Sequence, residues 1–121
     1  QSCRTLAKKG EAWAQCNLGV IFDQAIGVAQ NYKEAVKWYK KAAAKGNPQA
    51  QYNLGRLYAK GLGVRADFVE AYKWFEISSK GLAPGTEQNR AFRNRDRVAT
   101  YMTEQQIREA QTLADYFKPK E

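Results

Sequence analysis

Apolar residues fall at Ala14, Leu18, Ile21 and Phe22, a spacing of four, three and one that predicts a helix with a single buried face. The same spacing returns 36 residues later at Ala50, Leu54, Leu57 and Tyr58. Each of these helices, A, is followed by a second, B, whose first copy carries Ala35, Trp38, Tyr39 and Ala42 on one face. Between A and B the segments around Gly27-Val28 and Gly61-Leu62-Gly63-Val64 break the pattern, with glycine available for positive φ. Helix B opens on Asn31-x-x-Glu34 and Asp67-x-x-Glu70, residue pairs suited to capping an N-terminus. Asn47-Pro48 supplies a cap and a first-turn proline for the second helix A. Gly19 and Gly55 lie inside the A helices, where glycine costs roughly 1 kcal/mol, so close approach of a neighbouring helix is expected there.

The pattern is a duplication. Residues 10–45 and 46–81 are identical at 12 of 36 positions: Gly10/Gly46, Ala14/Ala50, Gln15/Gln51, Asn17/Asn53, Leu18/Leu54, Gly19/Gly55, Gly27/Gly63, Val28/Val64, Glu34/Glu70, Ala35/Ala71, Lys37/Lys73 and Trp38/Trp74. Residues 1–9 match the tail of a helix B. Residues 82–121 read as a degenerate third pair, with one helix over roughly 86–101 and another from Thr103 to about Phe117. Thr103-x-x-Gln106 is a capping box, Ile107, Ala110, Leu113, Ala114 and Phe117 form the expected buried stripe, and Pro119 stops the helix. The predicted fold is all-α: a single domain, an α/α superhelical solenoid of two full 36-residue helix pairs, a partial N-terminal helix and a C-terminal capping pair.

Composition narrows the chemistry. The 121 residues carry 20 Lys/Arg and 12 Asp/Glu, a net charge of +8, and no histidine. Without imidazole, Ser-His-Asp and Cys-His catalysis and imidazole-bound zinc are excluded. Two cysteines are too few for a four-thiolate metal site, and Gly61-x-Gly63 lies between helices rather than in a strand–helix phosphate loop. No catalytic residue, metal or cofactor is therefore assigned. No apolar run approaches the ~20 residues that span a bilayer, so direct membrane insertion is not expected. The absence of a signal sequence leaves a cytosolic chain or a processed form.

The string AQxNLGxx(F/Y)…GV…(N/D)(Y/F)xEAxKW(Y/F), repeated at 36, resembles the Sel-one-like repeat family, α/α solenoids related to tetratricopeptide repeats. Ala25 departs from the family's preferred glycine, which Gly61 keeps. The resemblance implies a non-enzymatic scaffold or adaptor for other proteins. Its similarity to small exported bacterial members implies a periplasmic or otherwise exported location. A second reading from the same resemblance is an immunity protein that neutralises a secreted toxin.

In such solenoids helix A lines the concave face, which places Trp13, Cys16, Asn17, Val20, Asp23 and Gln24 of the first copy, and Gln49, Tyr52, Asn53, Arg56, Ala59 and Lys60 of the second, away from the core stripe. Asn17 and Asn53 would form a ladder of amides for an extended peptide, or serve local structure. Trp38 and Trp74 occupy repeated core positions, whereas Trp13 aligns with Gln49. Trp13 is thus a contact for a partner, or packs on a preceding helix. Residues 1–81 hold +7 of the charge, much of it as Lys33, Lys37, Lys40 and Lys41 on one face of helix B, a convex and solvated surface opposite Trp38. Arg90, Arg93 and Arg97 form a second stripe, and guanidinium forks suit an acidic partner. Basic residues are not interleaved with aromatics, so nucleic acid is not expected. The candidate partner-binding set is Trp13, Asn17, Val20, Gln49, Tyr52, Asn53, Arg56, Arg90 and Arg93. Cys3 and Cys16 lie nearly equidistant from a turn at Gly10 and could form a disulfide worth ~3 kcal/mol, or remain two buried thiols.

Overall fold

The structure, a computed structural model, describes residues 3–120, with the side chain of Cys3 also outside the description. Among the described residues the chain forms seven helices: α1 (Cys3–Lys8), α2 (Ala12–Asp23), α3 (Tyr32–Ala44), α4 (Pro48–Lys60), α5 (Phe68–Gly81), α6 (Thr86–Ala99) and α7 (Glu104–Asp115). Helices α2, α4 and α6 are the A helices; α3, α5 and α7 are the B helices. Successive helices pack on one another from α1 to α6, and α7 returns onto α5. The A helices also touch one another, α2 with α4 and α4 with α6, so they form a layer of their own. This is an all-α solenoid.

The expected caps are in place. The side chains of Asn31, Asp67 and Asn47 accept the backbone N–H groups of Glu34, Glu70 and Ala50, satisfying donors that the first turn leaves free. Thr103 and Gln106 form the reciprocal capping box. The interior glycines admit an aromatic ring from the paired B helix. A Cβ on Gly19 would lie 2.5 Å from the Tyr39 ring, and one on Gly55 would lie 3.0 Å from Phe75.

Gln15 and Gln51 fasten consecutive pairs. Each is buried and donates its side-chain N–H to a carbonyl at the end of the preceding B helix, Gln15 to Ala7 and Gln51 to Ala43, both at 3.1 Å. The A–B loops repeat as well, with φ of 73° at both Gly27 and Gly63, and left-handed residues at Ala25 (φ 57°) and Gly61 (φ 68°).

Three placements differ from the sequence reading. Cys16 and Asp23 are buried rather than turned outward, because Cys16 joins the main core and Asp23 is covered by Tyr39 of α3 and Arg56 of α4. Leu113 is exposed, since α7 packs on α5 alone and buries only the strip containing Ala110 and Ala114. Two of the α3 lysines are not opposite Trp38: Lys37 and Lys41 place their ammonium groups 5.1 and 5.0 Å from its ring centroid.

Candidate functional site

The A-helix layer carries a groove between α4 and α6, in two parts. The smaller cleft, about 190 Å³, is lined by Gln49, Tyr52 and Asn53 of α4, Leu82 of the linker, and Glu87 and Arg90 of α6. The larger, about 330 Å³, lies toward the other end of the same helices and includes Arg56, Ala59 and Lys60 of α4 with Asn94, Arg97 and Val98 of α6. Asn94 donates to the Tyr52 hydroxyl at 2.7 Å; Tyr52 lines the first cleft and Asn94 the second, so this bond stands between them.

Local structure explains how the walls are held. Pro48 and the Asn47 cap start α4, placing Gln49, Tyr52, Asn53 and Arg56 along one side at helical spacing. The Tyr52 ring leans on Phe75 of α5, with centroids 5.6 Å apart, which fixes its position over the core. Helix α6 has no side-chain cap, but Gln88 donates to the carbonyls of Ser79 and Leu82 and ties its first turn to the end of α5. Arg95 pairs with Glu76 at 2.8 Å on the opposite side of α6, holding that helix to α5.

Of the candidate residues, the structure brings Gln49, Tyr52, Asn53 and Arg90 together in one cleft. Arg56 lines the larger cleft, but its guanidinium is already paired with the buried Asp23 carboxylate. Asp23, 5% exposed, also accepts from the Tyr39 hydroxyl at 3.0 Å, so Asp23 joins α2, α3 and α4. Burial first, and then the Asp23 charge and its hydrogen bond, drives the Tyr39 phenol far above its ordinary range, keeping it a neutral donor. Trp13 is 52% exposed and Asn17 is exposed, while Val20 packs partly against the core; these three residues of α2 do not line the α4–α6 clefts. Arg93 is exposed on α6 outside both clefts.

Cys16 is a buried thiol in the main core, and burial pushes its pKa up from 9.0 to about 11, so it is unreactive at neutral pH. The alternative of a bridge between Cys16 and Cys3 falls on a side chain outside the described residues.

Ala59 and Lys60, read from the sequence as turned to the concave face, line the larger cleft, whereas sequence reasoning missed Glu87, Phe68, Arg97 as a groove residue, and Tyr101. The cleft residues of α6, Arg90, Asn94 and Arg97, and Tyr101 in the turn just after it, are spaced four, three and four. That spacing was available in the sequence, but these residues are polar and read equally as a solvated face.

Comparison with known proteins places these features in a family. The Sel1 repeat matches at residues 14–47 and again at 48–81. A solved Escherichia coli protein, c5321, described as a protective antigen present in uropathogenic strains and displaying an SLR fold, aligns with a TM-score of 0.85 and 35% identity over 95% of this chain. A Sel1 repeat protein from Oxalobacter formigenes aligns with a TM-score of 0.68 and 32% identity over 75% of this chain. The matched regions are 24% and 26% of those two proteins, so this chain spans about a quarter of their length. No protein of curated function matches.

Proposed function

The chain belongs to the Sel1 repeat family, whose members are generally protein-interaction scaffolds, and from that premise we propose that it binds a segment of another protein in the α4–α6 groove of its A-helix layer. One observation carries the reading: the cleft in which Gln49, Tyr52 and Asn53 stand opposite Arg90. It offers amide, hydroxyl and guanidinium groups on facing helices, beside the apolar Leu82. Such a mixture satisfies the backbone groups of an extended peptide and gives its side chains somewhere to bury. The net charge of +8 favours an acidic segment.

Trp13 and Asn17 extend the contact surface along α2, where an exposed indole is the largest apolar group of that helix. The resemblance to exported bacterial proteins supports an envelope location, and among the described residues no helix is long and apolar enough to cross a membrane. The test is affinity capture from a bacterial envelope extract, comparing the wild-type chain with Asn53→Ala/Arg90→Glu and with Trp13→Ala. A partner held through the groove is retained by wild type and lost from the first variant, with helical circular dichroism unchanged. Equal capture by wild type and the groove variant would sink the reading.

A further inference from the structure

We propose that the larger α4–α6 cleft is the specificity pocket of that groove, taking one large apolar side chain of an acidic partner segment while Lys60 and Arg97 receive the flanking carboxylates. The inference rests on the groove reading and names its ligand chemistry. Its floor is Phe75, 1% exposed and fixed in the core. Its outer wall is Phe68 stacked on Tyr101, with ring centroids 5.5 Å apart and planes inclined by 19°. Tyr101 is 70% exposed. A stacked aromatic pair held outside the core at the mouth of a cleft leaves apolar surface that a ligand side chain can cover.

The rim supplies the charge. Three cations line the cleft, and none of the described lining residues is acidic. Arg56 is committed to Asp23, whereas Lys60 and Arg97 belong to no ion pair among the described residues. At the other end of the groove Glu87 stands in the wall, so a segment with clustered carboxylates is steered to the Lys60–Arg97 end. The about 330 Å³ of the cleft is at the lower limit for a binding pocket and suits one side chain, not a folded surface.

A single-stranded nucleic acid would also engage aromatics and cations, but it needs successive stacking platforms along a continuous basic track. Here one ring pair is already stacked on itself, and Glu87 interrupts the track.

The experiment uses fluorescence anisotropy with a labelled octapeptide carrying one phenylalanine flanked by aspartates. Two control peptides replace the phenylalanine by alanine or the aspartates by asparagine, and an oligothymidylate of six nucleotides is run alongside. Saturable binding of the first peptide is expected, weakened about tenfold by either control change and about tenfold by Tyr101→Ala or Arg97→Glu. Both substituted residues are exposed, so circular dichroism should match wild type. Absence of saturable binding, indifference to both substitutions, or tighter binding of the oligothymidylate would each overturn the proposal. Binding that is lost with Asn53→Ala/Arg90→Glu but kept with Arg97→Glu and Tyr101→Ala overturns the pocket and leaves the groove standing.

Discussion

The two full repeats share 12 of 36 residues yet close their helix pairs with different chemistry. In the first, Tyr39 reaches from α3 to the buried Asp23 of α2, and Arg56 of the next repeat completes the set. In the second, the equivalent positions are Phe75 and Ala59, and the contact is apolar. The loops diverge likewise. Gly63 lies so close to the backbone of Tyr32 and Lys33 that an added Cβ would overlap them, while a Cβ on Gly27 would meet nothing within 4 Å. Leu62 and Val64 accordingly pack on the core, and Ile26 and Val28 are exposed. One motif therefore serves two mechanical situations: a repeat with a neighbouring B helix under its loop, and one whose loop is open.

The largest expected effect tests the loops. Gly63→Ala combines left-handed strain of roughly 1–2 kcal/mol with overpacking of roughly 1–3 kcal/mol against Tyr32, whereas Gly27→Ala carries the strain alone. Denaturant titration should separate the two variants, and equal losses would refute the assignment of the Gly63 contact. Next comes the polar closure. Asp23→Ala leaves the Tyr39 hydroxyl buried without an acceptor and Arg56 without its partner, a loss of about 2–3 kcal/mol. Adding Tyr39→Phe copies the second repeat's solution and should restore at least half of that loss, so a double variant no better than Asp23→Ala would count against this account.

A smaller effect concerns the left-handed residues. Ala25→Gly relieves strain and should raise stability by up to about 1 kcal/mol, after the extra freedom of glycine in the unfolded chain is subtracted. The reverse change, Gly61→Ala, should lower it. The last is a pH effect, confined to the first repeat and silent at neutral pH. Burial raises the Cys16 thiol from 9.0 to about 11, and burial with the Asp23 charge raises Tyr39 further. The native state thus holds these protons more tightly than the unfolded chain does. Their contribution is complete below pH 9 and is lost as pH rises through the alkaline range. Thermal melts of the reduced protein should show that decline, and Cys16→Ser should flatten its part between pH 9 and about 11.

The fold was legible because a duplication supplies its own template: the caps at Asn31 and Asp67 and the glycines at 19 and 55 recur at matching positions of the sequence. The groove was half legible for the same reason. Gln49, Tyr52 and Asn53 sit in a repeated helix, but α6 is a degenerate copy, so nothing in the sequence set the register that brings Arg97 and Tyr101 to the larger cleft. Asp23 read as outward because its partners are 16 and 33 residues away. A signal was present all the same: Asp23/Tyr39 becomes Ala59/Phe75, two positions that lose their polar atoms together. Leu113 fits the helical stripe by spacing, yet a helix packed on one neighbour buries a narrower strip than the pattern allows.

The three tryptophans give this chain an unlabelled optical readout. Trp38 and Trp74 are buried beneath lysine ammonium groups, while the indole of Trp13 is 52% exposed on the A-helix layer. A collisional quencher such as acrylamide should reach Trp13 and spare the other two, so quenchable emission reports on the surface of α2 and the residual emission on the interior. A ligand that extends from the groove across α2 should shield the first signal and leave the second unmoved, whereas melting exposes all three indoles.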